Sequence, residues 1–133
     1  MKVTTQWQKD LTFVASNEAG QSITIDGDGK APSPMHLIAM AVAGCSSIDV
    51  VMILKKARQD ITDCTCEVNA ERREDAPRVF TKMNAHYKIT GKNLKPAQVE
   101  RACNLSMDKY CSASLMLKKA VEITHTFEII EEA

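Results

Sequence analysis

The chain has 133 residues, of which 44% are hydrophobic and 26% charged, with 17 basic and 17 acidic side chains. This composition is typical of a soluble globular protein and argues against intrinsic disorder. A formal net charge of zero argues against nucleic-acid binding, because such proteins carry a basic excess on one face. The length predicts a single domain over residues 1–133.

Three short strands are predicted at the start of the chain. Residues 2–8 and 11–16 flank the polar turn QKD, and the strand QSITID follows the turn NEAG. The loop GDGKAPSP leads into a long apolar helix, for which Ser33 supplies the N-cap and Pro34 the first turn. This helix is predicted to end near Gln59.

The second half alternates strands and helices. The segments ITDCTCEVNAER and RVFTKMNAHYKIT predict a hairpin around REDAPR. An amphipathic helix is predicted from Pro96 to Tyr110, then a short helical piece, SASLMLKK, and a last strand, VEITHTFEII. The resulting order β-β-β-α-β-β-α-β predicts an α+β fold, with helices on one side of antiparallel sheet.

The long helix is apolar enough to be considered as a membrane span, since 15 of the 20 residues from Met35 to Leu54 are apolar. His36 and Asp49 lie within it, and small residues are frequent, which argues against lipid exposure. The segment MKVTTQWQKDLTF lacks the apolar core of a signal peptide. We therefore expect a cytoplasmic protein, whose five cysteines are thiols rather than a disulfide framework.

A helix that is apolar on nearly all faces must be covered on nearly all faces. A single sheet of short strands covers only one side of it. A second copy of the chain is the simplest cover for the rest, so we predict a homodimer that buries this helix.

Two cysteines are candidates for chemistry. Cys45 lies within the long helix among small residues, so that another group can approach its sulfur closely. Cys111 follows MDKY at a predicted helix break, and a thiol at a helix N-terminus is stabilised as thiolate by free amide groups and the helix dipole. Packing is the competing explanation for both, because free cysteine is among the most buried residue types.

The segments SPMHLIAMAVAGCSSIDVV and MDKYCSASLML together resemble the two signature cysteine segments of the OsmC-like proteins, which include the organic hydroperoxide resistance proteins. The C-x-x-S setting of the second cysteine is matched here by Cys111 and Ser114. The chain is most similar to the YhfA-like branch of this family. The resemblance implies antiparallel sheets packed around a central, cysteine-bearing helix in an intertwined homodimer.

The resemblance also implies a thiol peroxidase. Cys45 would attack the O–O bond of an organic hydroperoxide to give a sulfenic acid. Cys111 would condense with it to form a disulfide, which an external dithiol would reduce. No metal or organic cofactor, no nucleic acid and no membrane is implied as a partner.

The chain departs from the family pattern near Cys45. The peroxidases pair an arginine from an N-terminal strand with a glutamate that follows a proline near the start of the helix. Here Pro34 is followed by Met35, and no arginine precedes Arg58. Asp49, one helical turn after Cys45, would disfavour a thiolate if it were ionised.

Two other functions are compatible with the sequence. The first is a non-catalytic dimer of the same fold that binds a small apolar ligand between helices, with methionines at 35, 40, 52 and 107 as adaptable contacts. The second is a structural zinc site at Cys64 and Cys66, completed by His86 from the next strand. Thiol loss on addition of an organic peroxide distinguishes the peroxidase from the ligand-binding protein.

Overall fold

A computed structural model describes all of residues 1–133. The chain forms two compact units, Met1–Ala39 and Met40–Ala133. The boundary falls inside the long helix α1 (Pro34–Lys56). The assignment of residues 1–133 to a single domain stays a prediction.

The first unit is an antiparallel meander followed by the start of α1. Its strands β1 (Val3–Lys9), β2 (Thr12–Asn17) and β3 (Ser22–Asp26) pair in that order. Ser33 caps α1 as predicted, because its Oγ accepts a hydrogen bond from His36 N at 3.2 Å. His36 Nδ1 in turn accepts one from Ser33 N at 3.1 Å. This reciprocal pair satisfies two amide groups that the helix itself leaves free.

The second unit contains the rest of α1, a three-stranded sheet and a helical segment. In chain order its further elements are β4 (Asp60–Arg72), β5 (Phe80–Lys92), α2 (Pro96–Leu105), a π-helical turn (Ser106–Tyr110), α3 (Ser112–Leu117) and β6 (Glu122–Glu131). The strands pair in the order β4-β5-β6. The α+β class and the predicted element order are confirmed.

The prediction of purely antiparallel sheet is wrong for one pair. β4 and β5 form the expected antiparallel hairpin, but β5 and β6 are parallel. The chain between β5 and β6 runs through α2, the π-helical turn and α3, and a strand that returns after such a crossover points in the same direction as the first. The second sheet is therefore mixed.

One face of this sheet forms the core of the second unit. The buried side chains of β5 alternate along the strand as Met83, Ala85, Tyr87 and Ile89. The register places Cys66 opposite Tyr87 and Cys64 opposite Ile89, so both thiols share the core face. These two cysteines are thus part of the packing under the helices.

Helix α1 leaves much of its apolar surface uncovered. Its buried positions Val42, Ser46, Val50 and Leu54 recur every four residues and mark a single stripe. By length and composition alone α1 could cross a membrane, and only 22% of its most apolar 18-residue window is buried within the chain. Covering the remaining faces needs something outside this chain.

Candidate active site

Cys45 lies on α1 and is half-buried. Its neighbour Ser46 belongs to the fully buried stripe and donates its hydroxyl proton back to the Val42 carbonyl at 2.8 Å. Such back-bonding satisfies a serine inside a helix without a partner from elsewhere. Ser46 thus acts as packing, while Cys45, one position earlier, keeps part of its surface accessible.

Cys111 occupies the turn between the π-helical turn and α3, as the sequence predicted. It is fully buried and is the N-cap residue of α3. Its Sγ accepts hydrogen bonds from Ser114 N at 3.4 Å and from Ser114 Oγ at 3.1 Å. Its own amide donates to the Ser106 carbonyl at 2.7 Å. The C-x-x-S pattern is therefore a local hydrogen-bonded unit that fixes this sulfur.

The two thiols, 66 residues apart in sequence, lie near enough in the folded chain for Cys45 to act on the pKa of Cys111. Burial raises the pKa of Cys111, the two Ser114 hydrogen bonds act to lower it, and Cys45 raises it further as hydrogen-bond acceptor and as a nearby negative charge. The expectation that the helix N-terminus would make Cys111 a stable thiolate is not met, because desolvation outweighs the donors.

The π-helical turn connects this pair to α1. The sequence predicted one helix to Tyr110, but α2 ends at Leu105 and the next turn widens. Ser106 Oγ donates toward Asp49 Oδ2 at 3.1 Å and lies 3.2 Å from the Ser46 carbonyl oxygen. Ser106 is thus the partner of Asp49, which sequence reasoning could not identify. π-Helical turns are frequent at functional sites.

Lys118 holds the other side of this turn. Its Nζ donates to the Met107 carbonyl at 2.6 Å and lies 3.3 Å from Asp108 Oδ1. Met107 is fully buried, and its sulfur accepts from Ser114 Oγ at 3.3 Å. The chain on both sides of Cys111 is therefore fixed by hydrogen bonds.

Among the remaining thiols Cys103 is buried and Cys64 and Cys66 are half-buried, and the setting of all three disfavours ionisation. Burial raises the pKa of Cys66 to about 11 and that of Cys103 to about 12. Burial likewise raises the pKa of Cys64, with a smaller contribution from the Asp63 charge. Thiols that stay protonated are poor nucleophiles. These three cysteines are packing residues.

Tyr87 is a buried residue that sequence reasoning missed. Its hydroxyl is enclosed and has no hydrogen bond of acceptable geometry, although Ser46 lies near enough to act on its pKa. Burial is the main cause of a raised pKa for Tyr87, and the charges of Cys66, Cys103 and Cys111 add to it. The only signal in the sequence is the alternation of β5, which predicts burial but not the unpaired hydroxyl.

The zinc hypothesis is wrong on geometry. Glu67 pairs with His86 across β4 and β5, whereas Cys66 pairs with Tyr87. Side chains one position apart on a strand point to opposite faces. His86 therefore projects away from Cys64 and Cys66, and bonds instead to Thr126 Oγ1 at 2.7 Å.

A family model described as OsmC-like protein matches residues 27–126. The chain belongs to the OsmC-like family. Protein YhfA of Escherichia coli (strain K12) is 51% identical over 132 residues, which are 98% of each chain.

Two solved structures of similar fold extend this result. A hypothetical protein from Aquifex aeolicus VF5 has a TM-score of 0.91 at 29% identity, over 99% of this chain and 97% of that one. An organic hydroperoxide resistance protein OsmC from Legionella pneumophila has a TM-score of 0.72 at 15% identity, over 96% and 97%. The second likeness establishes a shared OsmC-like fold and nothing finer.

Proposed function

We propose that this OsmC-like protein is a thiol-dependent peroxidase that reduces organic hydroperoxides with Cys45 and Cys111. The observation that carries the proposal is that Cys45 lies near enough to Cys111 to raise the pKa of the Cys111 thiol. Membership of the OsmC-like family supports the same chemistry. The half-buried Cys45 is the sulfur that a peroxide can reach, whereas the buried Cys111 reacts only afterwards, with the oxidised Cys45.

In the first step the Cys45 thiolate attacks the terminal oxygen of the hydroperoxide ROOH. A sulfur–oxygen bond forms, the O–O bond breaks, and the alkoxide leaves and takes a proton from solvent to become the alcohol ROH. Cys45 is oxidised to a sulfenic acid, and the peroxide is reduced.

In the second step the Cys111 sulfur attacks the Cys45 sulfenic acid. A disulfide forms, the sulfur–oxygen bond breaks, and hydroxide leaves with the Cys111 proton as water. An external dithiol then reduces the disulfide by thiol exchange and is itself oxidised to a disulfide. Ser114 donates two hydrogen bonds to the attacking sulfur and holds it in place.

The family's peroxidases activate their reactive cysteine with an arginine from an N-terminal strand, and this sequence has no arginine before Arg58. The residue after Pro34 is Met35, and among the upstream lysines Lys30 is engaged in an ion pair with Asp10 at 3.4 Å. We therefore expect this protein to react more slowly than members of the family that carry the arginine–glutamate pair.

We also propose that the protein acts as a homodimer through α1. Met40, Gly44 and Ile48 form an exposed stripe on this helix, with Met40 52% and Ile48 63% exposed. A β-carbon added at Gly44 would meet nothing within 4 Å in this chain. Glycine weakens a helix interior, and no packing within the chain requires it. Close approach of a second helix accounts for its presence.

The peroxidase is tested with Cys45→Ser and Cys111→Ser, assayed for cumene hydroperoxide consumption with a dithiol present. We expect Cys45→Ser to abolish turnover, whereas Cys111→Ser should permit one sulfenic acid per chain without disulfide formation. Cys64→Ser is the matched control, since this thiol lies on β4 outside the pair. Equal activity of both pair variants and the wild type would exclude the proposal.

A further inference from the structure

The hydroxyl of Tyr87 is the one buried side-chain polar atom of the chain that has no hydrogen-bond partner. Tyr87 itself is fully buried in the core of the second unit. A buried hydroxyl without a partner lowers stability, and an apolar group of the same shape is at least as stable in its place. Phenylalanine would supply the same ring, so packing does not account for the hydroxyl.

Four elements of the second unit surround this hydroxyl. After burial itself, the groups that act on the pKa of Tyr87 are Ser46 of α1, Cys66 of β4, Cys103 of α2 and Cys111 before α3. Cys66 lies directly opposite Tyr87 in the register of β4 and β5, and the other three residues are fully buried. All of them belong to the unit Met40–Ala133. The enclosure is therefore complete within one chain and does not depend on cover by a second copy.

Hydrogen bonds hold Cys111 to the same part of α1. The Cys111 amide donates to the Ser106 carbonyl at 2.7 Å, and Ser106 Oγ donates to the Ser46 carbonyl at 3.2 Å. Ser46 is the α1 residue that acts on the Tyr87 hydroxyl. Two successive hydrogen bonds thus connect the Cys111 backbone to the residue of α1 that lies beside this hydroxyl.

Of the three sulfurs around Tyr87, only that of Cys111 changes its charge in the proposed peroxidase reaction. The other two stay protonated, and a neutral thiol is a weak hydrogen-bond acceptor. In the reduced chain Cys111 is also a thiol, and it already accepts two hydrogen bonds from Ser114. During its attack on oxidised Cys45 the sulfur carries negative charge, for which a buried hydroxyl is a strong donor. The Tyr87 hydroxyl therefore gains a good acceptor only during this step.

We propose that Tyr87 takes part in the second step of the peroxidase reaction, where its hydroxyl donates a hydrogen bond to the Cys111 sulfur as this sulfur attacks the Cys45 sulfenic acid. This inference rests on the proposed function and adds a residue to it. The sulfur–sulfur bond forms, the sulfur–oxygen bond breaks, and the Cys111 proton leaves with hydroxide as water. Tyr87 keeps its own proton throughout. A donor that is in place before the charge develops needs little reorganisation.

The test is Tyr87→Phe, which removes only the hydroxyl, after one equivalent of cumene hydroperoxide without dithiol. We expect the Cys45 sulfenic acid, trapped with dimedone, to form at the wild-type rate. Disulfide formation should be slower by about tenfold, the effect of losing a hydrogen bond to a charged acceptor, and its pH midpoint should rise. Stability in urea should stay equal or increase, because an unpaired buried hydroxyl is removed.

Tyr110→Phe is the matched control, since Tyr110 precedes Cys111 in sequence but is exposed. It should leave both rates and the pH midpoint unchanged. Disulfide formation by Tyr87→Phe at the wild-type rate and pH midpoint would overturn the role of Tyr87 and leave the peroxidase function intact. A loss of stability with equal slowing of both steps would overturn it too, because the hydroxyl would then be structural. If the wild type forms no sulfenic acid at Cys45, the proposed function and this inference are both wrong.

Discussion

The hydroxyl of Ser106 donates to the Asp49 carboxylate at 3.1 Å, one helical turn beyond Cys45 on α1. The carbonyl oxygen of the same serine accepts a hydrogen bond from the Cys111 amide at 2.7 Å. Ser106 itself is fully buried, so its hydroxyl and its carbonyl depend on these partners within the chain. One residue therefore links Cys111, at the end of the π-helical turn, to the helix that carries Cys45.

We expect Ser106→Ala to lower stability and to slow formation of the Cys45–Cys111 disulfide. Loss of the hydroxyl leaves Asp49 Oδ2 without its donor, which costs about 1–2 kcal/mol for a half-buried carboxylate that water partly reaches. The backbone bond to Cys111 persists, so the protein should still fold. Urea unfolding gives the stability change, and single-turnover quenching gives the rate of disulfide formation.

Ser112→Ala is the control for this prediction. Ser112 lies in the same helical segment but is exposed and makes no side-chain hydrogen bond. A stability change in Ser112→Ala as large as that in Ser106→Ala would contradict the role of the Asp49 bond.

Ser114→Ala should raise the pKa of Cys111 further and slow its attack on a Cys45 sulfenic acid by roughly two- to tenfold, the effect of one hydrogen bond of about 0.5–1.5 kcal/mol. The Ser114 hydroxyl lies 3.1 Å from Cys111 Sγ and acts to lower its pKa. The measurement is the pH dependence of disulfide formation after a peroxide pulse. A merely structural role of Ser114 would reduce stability and leave the pH midpoint unchanged.

Most of the fold was predictable because its signals are local. The apolar run from Met35 to Leu54, the cap at Ser33 and the alternation in β4, β5 and β6 all depend on neighbours in sequence. The parallel pairing of β5 with β6 was missed, because strand direction depends on the crossover between them. The widening of the helix after Leu105 was missed too, since it depends on the buried contacts of Ser106.

The site was predictable only as far as its motifs extend. Cys45 and Cys111 come from the family resemblance, and their roles stay a prediction, whereas their proximity is a property of the folded chain. The partner of Asp49 and the unpaired hydroxyl of Tyr87 depend on contacts between residues far apart in sequence. Residue pattern alone carries no information on such contacts.

Gly44→Leu should convert the proposed dimer to a monomer while the isolated chain remains folded. A side chain at Gly44 points into open space within the chain, so the monomer loses nothing, but a helix packed closely against this position would be displaced. Sedimentation velocity gives the mass and circular dichroism the fold. Lys55→Leu is the matched control. It adds the same side chain at an exposed position further along α1, outside the proposed stripe, and should leave the dimer intact. If the Gly44→Leu variant sediments with the same mass as the wild-type protein, the chain does not dimerise through the Gly44 face of α1.

Stability should fall at alkaline pH because of the buried thiols. An unfolded cysteine ionises near pH 9.0, whereas burial raises the pKa of Cys103 to about 12. The unfolded state therefore loses its proton first, so the stabilising term is complete below pH 9 and is lost as the pH rises from 9 toward 12. The loss approaches about 1.4 kcal/mol per pH unit for this thiol within that window.

Urea unfolding at pH 8, 9, 10 and 11 measures this slope, and Cys103→Ala should make it shallower. Val99→Ala is the control, because Val99 is a buried, non-titrating residue of the same helix whose truncation lowers stability equally at every pH. An unchanged slope in Cys103→Ala would mean that its thiol ionises alike in the folded and unfolded chain. In that case Cys103 would not be buried in solution, because burial is the main cause of its raised pKa.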